Sequence, residues 1–97
     1  MFRIELTPEA NDDLKSMRAF DQRRVVGAME TQLGHEPIRE TRNRKRLRPN
    51  ELAEWEFRVE VFRVFYDVLA EDEIVKVVAI GMKEGNDLLM HGEKYEL

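Results

Sequence analysis

The chain of 97 residues contains no cysteine. That absence removes disulfides, thiol nucleophiles and cysteine-based zinc sites from consideration. Its two histidines, His35 and His91, stand too far apart in sequence to suggest a metal cluster. Neither metal nor cofactor is therefore expected. No apolar run approaches the roughly 20 residues needed to span a bilayer, and the opening MFRIELTPEA lacks the apolar core and small-residue cleavage site of a secretion signal. No membrane association is expected, and the cytoplasm is the predicted compartment.

What is present is a chain 42% apolar and 37% charged, the balance of a globular domain. Its length predicts one domain over 1–97, with a modest core that buries about 60 to 70% of the unfolded surface. FRIEL (2–6) alternates as a half-buried strand does. Thr7, Pro8 and Glu9 then read as an N-cap, a first-turn proline and a first-turn acid. Ala10, Leu14 and Met17 share one helical face, and Asp21 reads as the cap of a second helix carrying Val25, Val26, Met29 and Leu33. Gly34 and Pro37 end that helix. The spacing predicts a helical hairpin over 8–34 whose apolar stripes cover a sheet.

The most informative stretch is EWEFRVEVFRVFYDV (54–68). Its apolar residues sit at odd numbers before Glu60 and mainly at even numbers after Val61, so the chain turns there. The register that follows sets Trp55 against Tyr66, Phe57 against Val64 and Val59 against Phe62. On the opposite face it sets Arg58 against Arg63 and Glu54 against Asp67, like-charge pairs that need neutralising, with Glu56 diagonal to Arg63. Phe65 is expected there as an exposed aromatic able to stack on a base or to pack under the N-terminal segment. AEDE reads as a polar turn, and IVKVVAIGM (74–82) as a central strand buried on both faces. Lys83 follows at the strand end, and the remainder closes in a short strand or extended tail.

Against this acidic background (formal net charge -4), RETRNRKRLR (39–48) places six basic residues in ten positions. Leading into the sheet, Arg42, Arg44, Lys45, Arg46 and Arg48, with Arg58, predict one electropositive face suited to phosphate or to an acidic protein segment.

The order strand, helical hairpin, antiparallel strands, together with RLRPNELAEWEFRVEVFRVFYDV, VVAIGMKEGN and HGEKYEL, resembles the RelE/ParE superfamily of bacterial type II toxin-antitoxin toxins. The resemblance implies an α+β fold with an N-terminal strand and a two-helix hairpin on a mainly antiparallel sheet. It also implies a cognate antitoxin as partner. For RelE-like members it implies metal-free cleavage of mRNA on the ribosome; for ParE-like members, inhibition of DNA gyrase without nuclease activity; a decayed toxin that only binds its antitoxin is a further alternative. Arg63, in VFRVFY, occupies the place of an arginine used on substrate phosphate, and Lys83, in GMKEGN, that of a second basic residue on the same group. The lysine pair of RelE itself is replaced by Glu54 and Glu56, and its C-terminal tyrosine position falls near Leu89. Glu56, His91 and Tyr95 are then the side chains available for proton transfer. The catalytic candidates are Arg63, Lys83, Glu56 and His91.

Overall fold

The computed structural model describes residues 1–97. Seven strands and two α-helices follow in the order β1 (Arg3–Leu6), α1 (Pro8–Lys15), α2 (Ala19–Leu33), β2 (Arg44–Arg46), β3 (Trp55–Val59), β4 (Phe62–Leu69), β5 (Ile74–Glu84), β6 (Asp87–Met90) and β7 (Glu93–Lys94). The sheet runs β2-β3-β4-β5-β6-β7, all antiparallel, while β1 joins the first half of β5 in parallel. The fold is thus the predicted α+β arrangement of two helices on a mainly antiparallel sheet. Neither helix is long and apolar enough to cross a membrane.

Local signals account for most element ends. Thr7 caps α1, its Oγ1 accepting the Ala10 N–H at 3.1 Å, and Pro8 occupies the first helical turn. The expectation for α2 is corrected: the helix begins at Ala19, Arg18 precedes it without a side-chain cap, and Asp21 sits inside the first turn, 3.2 Å from Arg18 Nε. An acid there favours the positive end of the helix dipole without being the cap. The β3–β4 register is the predicted one, Trp55 to Tyr66 through Val59 to Phe62. Its turn is the tight two-residue form, with Glu60 at φ 55° carrying the left-handed conformation.

The main core lies between the helices and one face of the sheet. Ala10, Val25, Met29 and Leu33 meet Trp55, Phe57, Val64, Tyr66, Val75, Val77 and Ile80. Val75, Val77 and Ile80 share this face only because a bulge interrupts β5. Phe65 opposes Ala79 and Tyr66 opposes Val77, leaving Val78 as the extra residue and reversing the strand's alternation.

The other face carries a second, smaller core of Ala53, Phe65, Ala79, Leu88 and Met90, flanked by Leu47, Leu52 and Tyr95. Phe65 is 0% exposed within it, which corrects the expectation of an exposed aromatic. The 47–53 loop that covers it is held by Asn50. Its Oδ1 accepts the Leu52 and Ala53 N–H groups, and its Nδ2 donates to the Arg48 and Ala53 carbonyls.

Candidate functional site

Register assigns the charged candidates to faces. Arg58 pairs with Arg63, Arg63 with Gly81, Lys45 with Glu56, Glu56 with Phe65, and Lys83 with Leu88. Phe65 and Leu88 belong to the second core, so Lys45, Glu56, Arg58, Arg63 and Lys83 all stand on the sheet face away from the helices. Gly81 leaves room on this face for Met90 Sδ and Leu88 Cδ1, which would stand 2.5 and 3.1 Å from a Cβ at that position. A Cβ there would come within 2.8 Å of the Leu89 carbonyl oxygen, so β6 could not approach β5 with any larger residue.

The like-charged pair Arg58 and Arg63 is eased in two ways. Glu56 Oε2 lies 3.7 Å from Arg58 Nε, and Arg63 Nη1 donates to the Glu60 and Phe62 carbonyls, each at 2.9 Å. Burial lowers the Arg63 pKa from its ordinary value; Glu56 raises it and Arg58 lowers it further. Arg63 remains charged at any physiological pH. Lys83 Nζ reaches the Asn86 carbonyl at 3.4 Å, a long contact that leaves the ammonium free to turn to a ligand. Asp67 Oδ1 accepts the Glu54 N–H at 2.8 Å, so the predicted Glu54–Asp67 repulsion is replaced by a bond to the backbone.

The basic stretch divides. Lys45 points to the outer face, while Arg42 and Arg48 are exposed on the segments flanking β2. Arg46 pairs with Trp55, and its guanidinium lies over the indole, 5.7 Å from the ring centre. Arg44 is 6% exposed, and its guanidinium donates to the Arg39 carbonyl, the Gln32 carbonyl and Gln32 Oε1. It ties β2 to the end of α2 and is not presented to a ligand.

His91 stands elsewhere. With Gly92 it forms the β6–β7 turn, both at positive φ (56° and 81°), a conformation a histidine tolerates better than most residues. Its Nδ1 lies 2.9 Å from Asp13 Oδ1, on the helix side of the sheet. Asp13 Oδ2 accepts the Ile80 N–H at 2.9 Å. Between the end of β1 and the end of β6 the edge of β5 has no strand beside it, and this carboxylate takes a strand's place. Sequence reasoning missed Asp13, although its position, three residues after Ala10 and four before Met17, lies on the apolar stripe of α1. The pair borders a cleft of about 580 Å³ floored by Phe62, Ile80, Met82 and Leu89.

The profile of the ParE toxin of type II toxin-antitoxin systems, parDE, matches residues 4–86. The chain belongs to the ParE toxin family. A chain from the crystal structure of the RelBE2 toxin-antitoxin complex of Mycobacterium tuberculosis shares its fold, with a TM-score of 0.73 at 22% identity over 84% of this chain and 98% of that one. No curated protein matches the sequence. In the toxin, the family match takes in both helices, Glu56, Arg58, Arg63 and Lys83, and stops short of His91.

Proposed function

We propose that the toxin is a ribosome-dependent, metal-free mRNA endoribonuclease working from the outer face of its sheet. The observation that carries this reading is the placement of Arg58, Arg63 and Lys83 with the Glu56 carboxylate on one face of adjacent strands. Cleavage requires that the ribose 2'-hydroxyl lose its proton as it attacks phosphorus, that the added charge be stabilised, and that the leaving oxygen be protonated. Arg63 and Lys83 supply the second requirement. Glu56 is the proton acceptor on this face. Lys83 and Lys45 are the cations there able to give up a proton, since a guanidinium cannot. His91, on the helix side, has no part in this reading. The same face suits an acidic segment of the cognate antitoxin that the family implies, because occupancy would neutralise Arg58 and Arg63 together and block the phosphate site.

A second reading, inhibition of DNA gyrase by binding alone, is favoured by one observation. Glu56 is already engaged with Arg58, and Arg63 Nη1 with two carbonyls, which is how a charged docking surface is organised without an idle acid–base pair.

Single-turnover cleavage of mRNA on programmed ribosomes, run beside a gyrase supercoiling assay, separates the two. The wild type is expected to cleave. Arg63→Ala should be slower by roughly a hundredfold to a thousandfold, the loss of one charge-stabilising donor. The variant keeps its fold, because Arg63 lies outside both cores. Equal nonzero rates would remove Arg63 from the chemistry. No wild-type cleavage with supercoiling blocked would establish the second reading.

A further inference from the structure

We propose that free copies of the toxin associate head to tail, the 38–42 segment of one copy seated in the helix-side cleft of the next. The cleft has an apolar floor of Phe62, Ile80, Met82 and Leu89, and an acidic rim. Within that rim Asp21 is matched by Arg18 and Asp13 by His91, while Asp12 is exposed and has no ion-pair partner. The site therefore calls for an apolar side chain accompanied by a cation.

The toxin itself carries that combination. Ile38 is 58% exposed, and Arg42, four residues on, is exposed with no carboxylate partner, whereas Arg39 is held by Glu36. The same copy cannot supply the segment to its own cleft. Asp21 and Arg18 of the cleft lie at the start of α2 and Ile38 lies beyond its end, and a helix of 15 residues separates them by about 22 Å. The contact is between unlike surfaces, so it repeats from copy to copy until a ring closes or the chain stays open.

An apolar side chain and one charge pair make an association of the transient class, to be read across rising protein concentration. Sedimentation velocity on the full chain without antitoxin is the test. The weight-average mass is expected to rise with concentration above the monomer's 11.5 kDa. Asp12→Lys alone and Arg42→Glu alone should each stay monomeric, because the reversed charge in either variant would face a native residue of its own sign on the next copy. An equimolar mixture should regain association, each reversed charge meeting its complement. Asp12→Ala and Arg42→Ala, milder changes at the same exposed positions, should weaken association about tenfold. A wild type that is monomeric throughout, single reversals that associate as the wild type does, or a mixture that stays monomeric would each overturn the proposal.

Discussion

Tyr66 brings its hydroxyl into the core and donates it to the Pro37 carbonyl at 2.7 Å, while its ring stacks on Trp55 with centroids 6.0 Å apart. Burial pushes the phenol pKa well above its ordinary value, and the nearby Arg44 guanidinium opposes this only in part. The raised value means that the folded state holds the proton more tightly than the unfolded one. Its contribution is complete below the unfolded pKa of about 10 and is lost as pH rises above that. Urea titrations should show stability falling from about pH 10 upward. Tyr66→Phe should flatten that limb and cost about 1 to 2 kcal/mol at pH 7, because the Pro37 carbonyl loses its donor. An unchanged alkaline limb in the variant would assign the pH dependence to another group. Arg44 illustrates the same rule for a cation: three oxygen acceptors make its burial tolerable, where an exposed arginine would need none.

Between elements, Asp13 joins three of them. From α1 it bonds the Ile80 N–H of β5 and meets His91 at the β6–β7 turn, in the gap where neither β1 nor β6 reaches β5. Asp13→Ala should cost about 2 to 4 kcal/mol, since it leaves a buried amide without an acceptor and breaks the His91 contact. His91→Ala should cost less, because His91 is half exposed and the Ile80 bond survives. Hydrogen exchange checks the assignment: the Ile80 amide should lose protection in Asp13→Ala and keep it in His91→Ala. Equal loss in both would mean that the turn, and not the carboxylate, shields that amide. The β5 bulge belongs to this arrangement, since the reversal at Val78 is what turns Ile80 toward the helices.

At the scale of the whole molecule, a chain of formal net charge -4 concentrates cations locally. Lys45, Arg58, Arg63 and Lys83 gather on one face, while Asp12, Asp13 and Asp21 border the cleft on the other. Such a division lets an acidic protein bind a polyanion locally while remaining repelled from it elsewhere. On the proposed nuclease reading, binding to single-stranded RNA should weaken with salt, and replacing Arg58 or Lys83 by Gln should each reduce the slope of log K against log salt by about 0.7. Slopes identical to the wild type would place the phosphates off this face. Asp13→Asn, on the opposite side of the sheet, serves as the control and should leave the slope unchanged.

Much of this was legible in the chain because it rests on periodicity. The odd-to-even switch at Glu60 and Val61 determined the β3–β4 register down to the Arg58–Arg63 pair, and Thr7-Pro8-Glu9 determined where α1 begins. The shared outer face of Glu56, Arg58 and Arg63 follows from the same alternation. Tertiary structure decided what periodicity cannot encode. IVKVVAIGM is apolar on both faces, so its pattern had no contrast with which to mark the bulge at Val78. Phe65 stands among charged neighbours, and its burial depends on Ala53, Leu88 and Met90 arriving from distant parts of the chain. Among consecutive basic residues, Arg44 is buried and Lys45 exposed because β2 pairs with β3 in one register and α2 ends beside it, and a run of like charges carries no mark of either. His91 lies away from Arg63 for the same kind of reason: the side of the sheet on which a turn residue rests is set by its partner, and that partner, Asp13, comes from the first helix, near the other end of the chain.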